Sequence, residues 1–211
     1  MKIVTFGDSI TDVGRTPDRD GNIFGYGHGY PLMVAGELQL ENPEKYQLFN
    51  RGNSGHRIVD LYARVKKDVW NLQPDVLSIL IGINDIWHGL GENPNGVGLE
   101  RFEKVYRMLI EDTLERLPNV KIMIMEPFVL HGYATDPKFE EFSKVKEYAA
   151  AAKRIAEDYG LFFLPLQEKF DEAAKRFPPV YWTDDGVHPT AAGARLIANE
   201  WLKLFKEKID K

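Results

Sequence analysis

Ser9 stands between two carboxylates, Asp8 and Asp12, just after the apolar residues 3–6 and Gly7. A hydroxyl transfers acyl groups only if a base takes its proton and a third group fixes that base. Donors must also be aimed at the developing oxyanion. The chain has five histidines, His28, His56, His88, His131 and His188. The first four lie in segments read as loops or helix starts, with no carboxylate at useful spacing, and their default role is solvated or structural. His188 differs, because Asp185 precedes it by three residues, with Gly186 and Val187 between and Pro189 after. In a turn before a helix, that spacing brings a carboxylate to the imidazole Nδ1 and leaves Nε2 facing outward. This is the orienting relation of a catalytic triad. Ser9, Asp185 and His188 are therefore the candidate catalytic residues.

Two further positions fall at the ends of predicted strands. Gly52 has no side chain and can present a backbone N–H at close approach to a ligand, and Asn84 carries an amide donor. Turn chemistry alone explains either residue just as well. Asp8 has a plain reading too, as the cap of the helix that follows. Trp87 and Trp182 have faces that can stack on a sugar ring, although a tryptophan is more often core. A different chemistry makes Asp8 the nucleophile of a magnesium-dependent phosphatase, with Asp12 and Asp85 near the metal.

The elements that must position these residues alternate along the chain. Residues 3–6 read as a buried parallel strand, and residues 13–30 as an irregular loop near the serine. Pro31 suits the first turn of a helix over 31–40, and 46–50 is a second strand. Helical periodicity covers 57–72, ended by Pro74. Residues 76–81 are the most apolar strand candidate, and 87–98 are expected to form a long mobile loop. A helix over 99–117, a strand over 120–125 and a long helix over 137–159 follow, with Gly160 as its cap. The last strand is 161–164, then a short helix and a final helix over 190–206. Five strands alternating with helices make a doubly wound α/β domain with a parallel sheet.

Composition bounds the reading further. The 211 residues suffice for one domain with a sizeable core, read as a single unit over 1–211. A formal charge of -5 argues against nucleic-acid binding. The absence of cysteine removes disulfides and thiolate chemistry. No apolar run approaches the length of a membrane span, and no leader precedes the first strand. The expectation from these two points is a cytoplasmic protein without a membrane partner.

Gly7-Asp8-Ser9, Gly52 with Asn53-Ser54-Gly55, Gly82-Ile83-Asn84-Asp85 and Asp185-Gly186-Val187-His188-Pro189 closely resemble the four sequence blocks of the SGNH hydrolases, or GDSL esterases/lipases. They occur in family order across nearly the whole chain. The resemblance implies a flavodoxin-like three-layer α/β/α sandwich with a five-stranded parallel sheet, and Ser9, Asp185 and His188 as triad. It also implies an oxyanion hole from the Ser9 and Gly52 N–H groups and the Asn84 amide. No metal or cofactor enters that chemistry. Within the family, Gly82-Ile83-Asn84-Asp85-Ile86-Trp87 and the glycine–tyrosine loop near residue 29 resemble the small carbohydrate acetylesterases, such as the intracellular acetylxylan esterases. That step implies a small ester substrate, an acetylated saccharide, with Asp8, Asp85, Trp87 and Trp182 as substrate-binding candidates, and homo-oligomer formation. The runner-up keeps the chemistry and changes the substrate to that of a lysophospholipase or thioesterase.

Overall fold

A computed structural model describes residues 1–211. The chain runs β1 (Lys2–Gly7), α1 (Ser9–Asp12), α2 (Ile23–Tyr26), α3 (Tyr30–Glu41), β2 (Gln47–Gly52), α4 (Ile58–Asp68) and β3 (Val76–Leu80). It continues through α5 (Ile83–Trp87), α6 (Leu99–Arg116), β4 (Lys121–Met125), α7 (Phe139–Phe142), α8 (Val145–Asp158), β5 (Phe162–Leu164), α9 (Gln167–Ala174) and α10 (Ala191–Leu204). The five strands form one parallel sheet in the order β2-β1-β3-β4-β5. All of β3 and all but the first residue of β1 are buried, as a parallel sheet covered on both faces requires. In the outer layers, α3 packs on α10, and α4 packs on α6, which packs on α8. One hydrophobic cluster joins these layers to the sheet.

The strand order sets the place of the site. From β1 the chain moves to one side for β2 and then crosses to the other for β3. The carboxyl ends of β1 and β3 therefore flank the point where winding reverses, the crevice in which open α/β sheets bind ligands. Ser9 follows β1 and Asn84 follows β3.

Several predicted elements come out differently. The loop over 13–30 contains α2, capped by Asn22, whose Oδ1 accepts the Phe24 N–H at 3.0 Å. The first part of the segment expected as a mobile loop is the end of α5, and the remainder is fastened. Asn95 N–H donates to the His88 carbonyl at 2.7 Å and Val97 N–H to the Asp85 carbonyl at 2.8 Å. Tyr148 adds its hydroxyl to the Val97 carbonyl at 2.8 Å. The helix over 57–72 closes at Asp68, where Val69 leaves helical geometry at a φ of -126°, and a single 3₁₀ turn over Trp70–Leu72 follows, ended by Gln73 at a left-handed φ of 49°. The long helix over 137–159 is two helices broken at residues 143–144. Phe142, the last residue before the break, is buried, its ring nearly perpendicular to that of Trp87 with centroids 5.3 Å apart.

Candidate active site

Gly7 ends β1 where no side chain fits, since a Cβ there would lie 2.4 Å from the Leu80 carbonyl oxygen. The chain turns at once into α1. Asp8 caps this helix, its Oδ1 accepting the Ile10 N–H at 3.0 Å. Ser9 is thus the first helical residue, and its N–H has no acceptor within the protein, as expected for an amide in a first turn.

The other half of the site comes from the far end of the chain. Gly186 takes a φ of 103°, open to glycine and rarely to other residues. The tight turn it permits, closed at its base by the bridge between Thr183 and Pro189, folds residues 185–188 onto themselves. Asp185 Oδ1 accepts the N–H groups of Val187 and His188 at 2.9 and 2.8 Å. Its Oδ2 lies 2.6 Å from His188 Nδ1. On the opposite edge of the ring, His188 Nε2 is 2.8 Å from Ser9 Oγ. Asp184 is exposed, and its backbone N–H donates to the His188 carbonyl at 2.8 Å.

This geometry sets the charges. Burial alone would raise Asp185, but the bonds from the His188 ring and from two backbone N–H groups outweigh it and bring its pKa to about 2. The hydrogen bond to Asp185 holds His188 above the ordinary imidazole value, against the lowering effect of partial burial. An imidazole so held takes a proton from a hydroxyl at Nε2 while Nδ1 stays protonated against Asp185.

Asn84 sits in the first turn of α5, one amide N–H donating to the His56 carbonyl at 3.1 Å. The residue lines the same cavity as Ser9 and His188. Gly52 does not take the place expected of it. Its N–H donates to the Asn50 side chain at 2.8 Å, and a Cβ there would lie 2.2 Å from the Asp12 nitrogen. The absence of a side chain at Gly52 lets β2 pack against α1, and its N–H is already spent. Gly55 is the glycine that faces the cavity. Its φ is 80° and its N–H has no acceptor in the protein. The sequence carried one signal for it: in Gly52-Asn53-Ser54-Gly55 the second glycine lies beyond the strand, where a turn needs a left-handed residue.

The cavity over Ser9 has a volume of about 630 Å³, and only Val13 and Trp87 among its eleven lining residues are hydrophobic. Trp87 places its ring centroid 6.0 Å from that of His188. His28 and His88 also line it. His28 donates from Nδ1 to the Val13 carbonyl at 3.0 Å. Trp182 does not line it: the indole is buried and its N–H donates to the Phe177 carbonyl at 3.2 Å, so neither ring face is open to a ligand.

Asp8 and Asp85 lie beneath the cavity instead of lining it. Burial raises Asp8 to about 7 and pushes Asp85 well above the carboxylate range. Asp85 accepts the Ile58 N–H at the start of α4, and Asp12 is committed to the loop after β2. A phosphatase nucleophile at Asp8 would need an accessible carboxylate, and Asp8 is 1% exposed.

Two other histidines are structural. His56 Nδ1 accepts from Arg64 at 3.0 Å, and burial, followed by that cation, lowers its pKa. His131 corrects the expectation that it lacks a carboxylate, since its Nδ1 is 2.7 Å from Asp136 and its ring stacks on Phe139.

The sequence matches the GDSL-like lipase/acylhydrolase family over residues 5–196. It is 36% identical over 208 residues to an acetylxylan esterase of Geobacillus stearothermophilus, covering 96% of this chain and 92% of that protein. The crystal structure of Axe2, an acetylxylan esterase from the same organism, superposes with a TM-score of 0.84 at 35% identity over 96% of this chain and 92% of that one. An alpha/beta hydrolase enzyme from the metagenome of Lake Arreo, Spain, gives 0.86 at 31% identity, with 96% and 93% covered.

Proposed function

We propose, from the premise that this chain belongs to the GDSL-like lipase/acylhydrolase family and is a carboxylic ester hydrolase, that it removes short acyl groups, acetyl above all, from a carbohydrate. The observation that carries this reading is the unbroken line from Ser9 Oγ through His188 to Asp185, at 2.8 and 2.6 Å. Ser9 Oγ attacks the ester carbonyl carbon while its proton passes to His188 Nε2, and Asp185 stabilises the imidazolium. The carbonyl oxygen becomes an oxyanion facing the Ser9 N–H, the Gly55 N–H and the free Asn84 amide N–H. Collapse expels the sugar alkoxide, which takes the proton from His188, and leaves an acyl-Ser9 ester. Water then repeats the sequence, deprotonated by His188, and releases the acid.

The substrate class rests on the cavity and on the relatives. An acetyl group needs little apolar surface, whereas a long acyl chain needs a groove of it. Besides Val13, Trp87 and Pro189 the lining residues are glycines, histidines, serines and Asn84, with no run of aliphatic side chains, which favours a small acyl group and a hydroxyl-rich leaving group. Trp87 offers a ring face beside His188 for a sugar. This arrangement disfavours the lysophospholipase or thioesterase alternative.

A series of p-nitrophenyl esters tests the reading, together with acetylated xylo-oligosaccharides. From acetate to octanoate, kcat/KM should fall by at least tenfold, and acetate should be released from the oligosaccharides. A rise with chain length, or no release of acetate, would move the enzyme to lipid-like esters.

The pH profile tests the base. His188 works only when neutral, and its pKa lies above the ordinary imidazole value because of Asp185. Activity should therefore be lost as pH falls through that raised value. The acid limb of kcat/KM should have its midpoint above about 6.5. A midpoint at or below the ordinary value would separate the titrating group from the Asp185–His188 pair.

A further inference from the structure

Gly55 has the least support of the three oxyanion-facing groups. Its N–H bonds to nothing, and its φ of 80° leaves the wide latitude of glycine. A Cβ at this position would meet only the ring of His88, at 3.8 Å. The direction of its N–H is therefore decided by the peptide that joins it to Ser54.

Ser54 is held from one side. Its N–H donates to Asp12 Oδ2 at 3.0 Å and its hydroxyl to the same oxygen at 2.7 Å. Arg15 secures the residues just before it, donating from Nε to the Gly52 carbonyl at 2.6 Å and from Nη2 to Asn53 Oδ1 at 2.7 Å. Asp12 also accepts the Arg15 N–H at 3.3 Å through Oδ1. Asp12 is the last residue of α1 and Ser9 is the first. One helical turn thus carries the nucleophile at one end and, at the other, the carboxylate that grips the neighbour of the second donor.

We propose that Asp12 is a positioning residue for acyl transfer, fixing Ser54 so that the Gly55 N–H meets the oxyanion formed on the Ser9 adduct. This rests on the reading of Ser9 as nucleophile and Gly55 as donor. The oxyanion exists only after attack, so a misdirected Gly55 N–H weakens the transition state and spares ground-state binding. A carboxylate that merely ties down a loop would instead set stability and leave turnover per folded site unchanged.

The test compares wild type with Asp12→Ala, Asp12→Asn, Ser54→Ala and the Asp12→Ala/Ser54→Ala double variant. Each is counted by fluorophosphonate-labelled sites, so that a poorly folded fraction does not enter kcat. Asp12→Ala should lower kcat on p-nitrophenyl acetate by about 30-fold with KM within about twofold of wild type. Inhibition by phenylboronic acid, which closes a tetrahedral adduct on Ser9, should weaken by a similar factor. Asp12→Asn keeps an oxygen for the Ser54 N–H and should recover part of the loss. Ser54→Ala should cost less than Asp12→Ala, and the double variant should be no worse than Asp12→Ala, because the two act as one unit.

A kcat per labelled site within about threefold of wild type in Asp12→Ala, whatever its Tm, would overturn the inference and leave the triad standing. Turnover persisting in Ser9→Ala would overturn the reading of the site, and this inference with it.

Discussion

Ser9→Ala should abolish ester hydrolysis, with kcat on p-nitrophenyl acetate reduced on the order of 10⁵–10⁶-fold, the magnitude seen when a serine nucleophile is deleted from a triad. Labelling by a fluorophosphonate should vanish with it. The fold should persist. The Ser9 hydroxyl has one protein partner, His188 Nε2, whereas α1 is held by the Asp8 cap and by the carbonyl of Asp8 accepting the Thr11 and Asp12 N–H groups. Losing the hydroxyl removes no buried contact that the helix needs, so Tm should stay within a few degrees of wild type. A Ser9→Ala enzyme that hydrolyses the ester at a rate near wild type would put the nucleophile elsewhere.

Asp185→Asn should be nearly as damaging, lowering kcat on the order of 10³–10⁴-fold. Asp185 is only 6% exposed, so water has little room to replace its carboxylate. Its Oδ1 accepts two backbone N–H groups at 2.8 and 2.9 Å, and an asparagine would keep its oxygen there. The amide nitrogen would then face His188 Nδ1 as a donor. That forces the ring into the tautomer with its proton on Nε2, aimed at Ser9 Oγ, and the base is lost although the shape survives. Asp184→Asn is the control. Asp184 is exposed and uses its backbone toward His188, so its loss should cost less than about tenfold. If the Asp184 variant proves the more damaged of the two, the triad assignment fails.

What could be read in the sequence follows from how local each signal is. The Asp185–His188 relation is local, written in a four-residue turn with a glycine inside it. The strand of residues 3–6 ending in Gly7, and the alternation that follows, carry the parallel sheet. Gly52 and Gly55 are separated only by the weaker signal that Gly55 lies beyond the strand, in a turn. Both are glycines in one block, and the N–H of Gly52 is spent only because the Asn50 side chain, two residues earlier on β2, bends back to accept it. Which of two amides is free is settled by a side-chain rotamer, and no periodicity records it.

The break at residues 143–144 was hidden for a related reason. Phe139, Phe142 and Val145 keep a helical stripe on either side of it, and the ring that Phe142 meets, Trp87, lies 55 residues earlier in the chain. His131 and Asp136 are five apart, a spacing that matters only once the intervening loop doubles back. The loop after Trp87 is fastened by its own backbone bonds to His88 and Asp85 and by Tyr148 of α8, and no periodicity in the loop announces either.

Ser9 and His188 meet across a sequence separation of 179 residues, and that distance orders events in time. Bringing together segments so far apart in sequence carries a large loop-closure entropy, shared with the packing of α3 on α10 and the Lys45–Asp210 pair, which join the same regions. During synthesis the serine emerges 179 residues ahead of its base and stays unactivated until that base is seated. A chain that has built its strands but not yet seated the turn at Gly186 carries a hydroxyl no more reactive than any other. Catalytic competence is thus a property of the assembled tertiary structure and of no single segment within it.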